Sequence, residues 1–267
     1  MTPDRTVQGF IVAAAAAIVV GGQVWGSREK AGPVLTAASA FVRGDSSADS
    51  ATSTTNTSAA SPLAANTNAA LTKLSRLVRP LSHPQALATA FNSYFTFKAE
   101  HPDEVKKPYL YFVDYGLPST QPRGYVFDMN SLKIVDGPFT VAHGKGSSTS
   151  KAGVPTRFSN AIGSAATSLG LYLTKATYAF RGSANGRTYR SIGLRLAGVM
   201  DGFNDNALAR GVVAHGAPYV TKSKAGRSEG CPAMEQARAK KLLPKIADGA
   251  LVFLFAPDQH FLQTELQ

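Results

Sequence analysis

Hydrophobic and polar positions divide this chain into three stretches. Phe10 to Val20 is an unbroken apolar run of alanine, valine and isoleucine, preceded by Asp4 and Arg5 and closed by Gly21-Gly22. Residues 43–70 are mostly Ser, Thr, Ala and Asn, with almost no large apolar side chain. Such a segment buries too little surface to offset the entropy of ordering it, so it reads as a flexible tether. From Leu71 the pattern changes. Leu71, Leu74, Leu77 and Val78 recur at helical spacing until Pro80. A second helix is predicted from about Pro84 to Lys98, with Ala86, Leu87, Ala90, Phe91, Tyr94 and Phe95 on its apolar side.

Beyond Tyr109 the period shortens to that of strands, broken by Gly, Pro, Asn and Asp turns. Tyr109–Tyr115, Leu169–Lys175, Arg190–Leu196, Gly211–His215 and Ala250–Phe255 are predicted strands. Gly124–Asn130 and Lys133–Ala142 read as a hairpin around Asn130-Ser131. One more helix is predicted from Met234 to Leu243, ended by Pro244. Many short strands and few helices predict a mainly β domain, a β-sandwich or partial barrel preceded by a helical segment.

The eleven apolar residues of Phe10–Val20 fall short of the roughly 20 that a membrane-spanning helix needs, and suit the core of a secretory signal. Residues 1–26 are therefore expected to be a signal peptide or signal anchor. Residues 27–70 are expected to be a linker and 71–267 the working domain. That layout predicts an exported protein in the periplasm or cell-wall space, with attachment to the cytoplasmic membrane if the leader is retained.

Charge alters this picture little. The chain has 28 basic and 17 acidic residues, a net charge of +11. Residues 1–80 contribute +3 and the remainder +8, so the excess is not a basic tail. It favours anionic surroundings. No zinc-finger spacing, RNP-like aromatic motif or dense Lys/Arg block accompanies it, so no nucleic acid is expected as partner.

Cysteine usage matters more. The chain has a single cysteine, Cys231, which excludes an internal disulfide and a thiolate metal cluster. A buried filler, a redox-sensitive thiol and a nucleophile remain. Its surroundings point to the last. Gly226-Arg227-Ser228-Glu229-Gly230-Cys231-Pro232 is a glycine-flexed loop with a predicted helix after it. A helix N-terminus lowers a cysteine pKa. Sixteen residues upstream, the β-branched run Gly211-Val-Val-Ala delivers His215 to a strand end before Gly216. A nearby histidine can take the thiol proton. Small residues before Cys231, including Gly230 and Ser228, let backbone N–H groups face a developing oxyanion. Arg227 is placed to hold a substrate carboxylate.

These motifs resemble the catalytic signature of the YkuD-type L,D-transpeptidases: a histidine-glycine at a strand end, then a Ser-x-Gly-Cys loop. The resemblance is closest to the murein L,D-transpeptidase catalytic domain subgroup. It extends in order through Val141-Ala-His143-Gly144, Phe158-Ser159-Asn160, Ser168-Leu-Gly170-Leu-Tyr172, Leu194-Arg195-Leu196, Gly202-Phe-Asn204-Asp205-Asn206, Val212–Tyr219 and Gly226–Met234. It implies that Cys231 takes an acyl group from a peptidoglycan tetrapeptide stem and releases D-alanine. His215 then acts as base, oriented by the backbone carbonyl of Gly216. An amine of a neighbouring stem resolves the thioester, and no metal or organic cofactor is needed. Two positions depart from the commoner family form: Glu229 stands where histidine is usual, and Ala233 where arginine or asparagine is. The alternatives are a hydrolase using the same Cys/His pair with water as acceptor, and a wall-binding module without turnover.

Other polar residues carry weaker signals. His143, in a near twin of the His215 stretch, is a cleft-wall candidate or, more simply, a hydrogen-bonded structural histidine. Ser159 and Asn160 either line the cleft or cap a loop. Asn204, Asp205 and Asn206 read as a turn rather than a metal site.

Overall fold

The computed structural model describes residues 61–265. The expected leader and most of the expected linker lie outside the described residues.

Helix α1 spans Pro62–Leu74 and begins inside the expected linker. Ser61 caps it, its hydroxyl accepting the Ala64 N–H at 3.3 Å, and Pro62 fits the first turn, where no intrahelical N–H bond is lost. Its inward face is made of Thr67, Ala70 and Leu74, and the first two are small residues that a count of large apolar side chains does not register. Helix α2, Ala86–Glu100, buries Ala86, Leu87, Ala90, Phe91 and Tyr94 at helical spacing, close to the expected span.

The domain is mainly β, as expected. Strands β1 (Tyr109–Asp114), β2 (Gly124–Asp128), β3 (Lys133–Phe139) and β4 (His143–Gly144) lead to a long ribbon, β5 (Gly170–Ala184) and β6 (Arg187–Gly198). Then come β7 (Val213–Gly216), β8 (Val220–Thr221), β9 (Lys224–Ala225), β10 (Arg227–Ser228) and β11 (Ala233–Met234). Helix α3 (Gln236–Ile246), β12 (Leu251–Phe255) and helix α4 (Gln259–Glu265) complete the described chain. Eight strands form one mixed sheet in the order β11-β7-β6-β5-β12-β1-β2-β3, with β10-β4 and β8-β9 as separate two-stranded sheets.

The sheet is centred on β1 and β12, which pair in parallel from Leu110↔Leu251 to Asp114↔Phe255. Nearly every residue of both strands is buried, which explains their unbroken apolar sequence. The β2–β3 hairpin forms where expected. Its turn is fixed by the Asp128 carboxylate, which accepts the N–H groups of Asn130 and Ser131, each at 3.0 Å. The β5–β6 ribbon runs well past both expected strands. It closes on Asn185-Gly186 at φ 51° and 74°, the two positive angles a tight hairpin turn needs. A bulge between Thr174 and Thr177 re-aims its outer half. Pro244 does not end α3. It sits in the last turn, and the helix continues to Ile246.

Candidate active site

Strand β7, next to the edge strand of the main sheet, sets His215 opposite Gly193 of β6. Because Gly193 has no side chain, ribbon aromatics can close over the imidazole. Phe180 stacks on it with ring centroids 4.2 Å apart and 22° between planes. His215 is 3% exposed. Its Nδ1 lies 3.2 Å from the Gly216 carbonyl oxygen. A carbonyl only accepts, so Nδ1 carries the proton and Nε2 presents a lone pair. Burial lowers the pKa to about 4, the Gly216 carbonyl opposing it, so the ring is neutral at pH 7. A Cβ on Gly216 would stand 2.4 Å from Ser191 Oγ and 2.9 Å from Ala239 Cβ, so only bare backbone lets α3 pack this closely behind the carbonyl.

The cysteine loop meets β7 from the other side. Strand β11 pairs in parallel with β7, Ala233 opposite His215, and the His215 N–H donates to the Pro232 carbonyl at 3.3 Å. A serine-centred turn shapes the approach to Cys231. The Ser228 hydroxyl donates to the Cys231 carbonyl at 2.6 Å and accepts the Gly230 N–H at 3.2 Å. Gly230 has φ +118°, and a Cβ there would stand 2.8 Å from the Ala166 carbonyl oxygen.

The Gly230 N–H donates to the Ser228 hydroxyl at 3.2 Å. The helix expected from Met234 starts two residues later, and the cysteine does not sit at its N-terminus. The chain first pairs as β11, and α3 starts at Gln236, with no helix end to depress the thiol pKa. Burial instead pushes the half-buried Cys231 thiol up. The Val213 N–H and the Arg210 guanidinium act against this, and Glu229 adds to it. The thiol itself points to the Gly211 carbonyl at 4.0 Å.

Arg210 has no place in the sequence reading, because a single arginine after a turn-rich stretch carries no motif. It fastens the floor of the loop. Nη1 donates to the Ser159 carbonyl at 2.8 Å and the Ser168 hydroxyl at 3.0 Å. Nη2 donates to the Ala166 carbonyl at 2.6 Å and the Ser164 hydroxyl at 3.3 Å. One guanidinium thus ties residues 159–168 to the turn before β7 and supplies a stabilising cation for a thiolate at Cys231.

The remaining candidates take varied places. Arg227 is not directed at a cleft through Nη1, which donates to the carbonyls of Ser148 and Thr149 at 2.7 and 3.0 Å. Glu229 is exposed and pairs with Lys145 at 2.7 Å. His143 is fully buried and lies beside Arg227 in the β4–β10 ribbon. Its Nδ1 is 3.0 Å from Nη2 of the fully buried Arg123. Arginine only donates, so His143 Nδ1 accepts. Burial, Arg123 and Arg227 lower the His143 pKa to about 4. Its Nε2 is buried without a hydrogen-bond partner. Ser159 accepts the Ala161 N–H through its hydroxyl at 3.1 Å, the loop-capping alternative. Asn160 binds Asp205 at 2.7 Å and accepts the Asn206 N–H at 3.2 Å, so the Asn-Asp-Asn stretch serves as a turn lock. Among the described residues, no three His, Cys, Asp or Glu side chains gather as a metal site.

A family model described as L,D-transpeptidase catalytic domain matches residues 79–255. No curated protein matches the chain. Solved structures similar to it include an L,D-transpeptidase from Mycobacterium smegmatis, at 14% identity and a TM-score of 0.33 over 56% of this chain and 59% of that one. An L,D-transpeptidase from Xylanimonas cellulosilytica matches at 14% identity and 0.33, over 56% of this chain and 61% of that one. One from Stackebrandtia nassauensis matches at 15% and 0.35, over 66% and 68%. The chain thus spans about 59% of the length of the Mycobacterium smegmatis chain.

Proposed function

The chain belongs to the L,D-transpeptidase catalytic domain family, and on that premise we propose that it is a cysteine acyltransferase acting on peptidoglycan stem peptides. The observation that carries this reading is His215. It is buried and neutral, with its Nδ1 proton fixed on the Gly216 carbonyl, and sits one strand away from the loop bearing the chain's single cysteine.

The resting thiol is turned to the Gly211 carbonyl. In the reaction the thiol turns from there toward Nε2 of His215, which takes the thiol proton as sulfur attacks the stem's acyl carbon. A thiol pushed up by burial and a histidine held neutral do not form a resting ion pair, so deprotonation accompanies attack. The C–S bond forms, the amide C–N bond breaks, and the proton on Nε2 goes to the departing D-alanine amine. An acceptor amine then attacks the thioester. The new C–N bond forms, the C–S bond breaks, and the amine's proton passes through His215 to the sulfur. Phe180 keeps water from the imidazole throughout. Export, through the apolar Phe10–Val20 segment, would place this chemistry outside the cytoplasmic membrane.

The test is incubation with a purified tetrapeptide stem, with the Cys231→Ala variant alongside. Stem dimers and free D-alanine are expected from the native chain and neither from the variant. Cleaved monomers alone would mean that water is the acceptor. Mass spectrometry with a carbapenem is expected to give a covalent adduct on Cys231. A reduced, unmodified thiol would overturn the nucleophile assignment.

A further inference from the structure

We propose that the groove between the Gly226-Arg227 segment and the tip of the β5–β6 ribbon binds the carboxylates of the acceptor peptide, an inference that rests on the acyl-transfer reading above. The groove has a volume of about 750 Å³ and is lined by Lys145, Lys151, Lys224, Arg227 and Tyr219, with no aspartate or glutamate in its walls.

Its cations are held together by the fold. The buried Ser119 hydroxyl lies 2.7 Å from the Lys151 carbonyl and 3.2 Å from the Ala225 carbonyl. It therefore ties the backbone at Lys151 to the residue following Lys224. Arg227 clamps Ser148 and Thr149 just upstream of Lys151. Among the described residues, neither Lys151 nor Lys224 has a carboxylate within 4.0 Å. The ribbon tip closes the far wall with Ser183, Ala184 and Asn185, which bring no charge of their own. The lysines gathered in the groove repel one another, and an anionic occupant relieves the repulsion.

The groove is also continuous with the nucleophile loop. Lys145, in its wall, pairs with Glu229, two residues before Cys231. A peptide whose carboxylates rest on Lys151 and Lys224 can direct its amine toward the thioester. The surrounding positive potential favours the uncharged amine, the form that attacks. Lysines are point charges suited to separate carboxylates in a wide groove, while Arg227 serves mainly to hold the wall.

The test measures binding of an acceptor peptide, with free or amidated carboxylates, to the Cys231→Ala chain, so that turnover plays no part. The free-carboxylate peptide is expected to bind at least tenfold more tightly, with the difference narrowing as salt rises from 50 to 300 mM. Lys151→Gln/Lys224→Gln should abolish that preference. Lys240→Gln, which removes one charge from exposed α3 surface, should preserve it. In chains retaining Cys231, the double variant should raise the acceptor KM about tenfold and change the rate of thiol acylation less than twofold. Equal binding of free and amidated peptides, or an unaffected double variant of unchanged melting temperature, overturns the proposal. Tighter binding of a short polyphosphate than of the free peptide, lost in the double variant, would reassign the groove to a phosphate-bearing polymer. Failure of Cys231 to acylate overturns the transferase reading and leaves the binding result standing.

Discussion

Replacing Arg210 with methionine keeps the length and apolar stem of the side chain and removes one cation with four hydrogen bonds. Two of those bonds, to the carbonyls of Ala166 at 2.6 Å and Ser159 at 2.8 Å, are short and charge-assisted. Hydrogen bonds to a charged group contribute about 1.5–3 kcal/mol each, so the pair amounts to about 3–6 kcal/mol. The guanidinium is only half-buried, so water regains part of this, leaving a loss of about 2–4 kcal/mol. In a domain of this size, 1 kcal/mol shifts the melting temperature by about 2–4 °C, so Arg210→Met should melt roughly 5–15 °C lower. The same change removes the cation that holds the Cys231 pKa down, so iodoacetamide alkylation at pH 7.5 should slow. Arg210→Lys separates the two effects. It should retain much of the alkylation rate but little of the melting temperature, because an ammonium cannot reproduce the guanidinium fork across residues 159–168. A methionine variant that melts within 2 °C of the native chain and alkylates at its rate would refute the clamp.

Further expectations follow from burial and backbone geometry. His143 and His215 have folded pKa values of about 4 against about 6.5 in an unfolded chain, so the unfolded state takes up protons first as pH falls. Stability should be lost between pH 6.5 and 4 and level off below, by about 3 kcal/mol per histidine; equal urea midpoints at pH 7.5 and 4.5 would contradict this. Gly230→Ala places a Cβ against the Ala166 carbonyl at a positive φ, strain of about 1–3 kcal/mol, and should cut Cys231 acylation about a hundredfold while the melting temperature drops only a few degrees. Phe180→Ala uncovers the His215 ring, so the acid limb of the pH–rate profile should move up toward pH 6.5; Phe180→Leu should restore most of the native profile.

The sequence pattern anticipated those elements whose signals are local. The second helix, the β2–β3 hairpin and the apolar β12 strand fall close to their expected places, because spacing and turn residues alone decide them. Of helix α1 only the end was legible, through Leu71 and Leu74; its start at Ser61-Pro62 fell within the stretch read as a tether, where the buried residues Thr67 and Ala70 are small. The Asn185-Gly186 pair was a readable hairpin signal that marks the full length of the ribbon. Parts of the site were not readable. Which partner takes the Gly230 N–H, and which loops Arg210 spans, depend on contacts between segments tens of residues apart. The helix expected from Met234 begins at Gln236, because residues 233–234 pair with β7. The Asn-Asp-Asn stretch was read correctly as a turn.

The parallel pairing of β1 with β12 has a consequence for the order in which the domain can form. β12, the last of the described strands in chain order, lies in the middle of the sheet, between β5 and β1. Until residues 251–255 emerge, β1-β2-β3 and β5-β6-β7-β11 are two half-sheets, each with a raw apolar edge. His215 and Gly216 belong to one half, while the helices that cover β1 are made with the other. Closure joins residues about 140 positions apart, a contact of high loop-closure cost that places this domain among slow-folding topologies. A chain shortened before Leu251 would therefore lose the junction that makes one sheet of two, and with it the scaffold on which β7 holds its histidine.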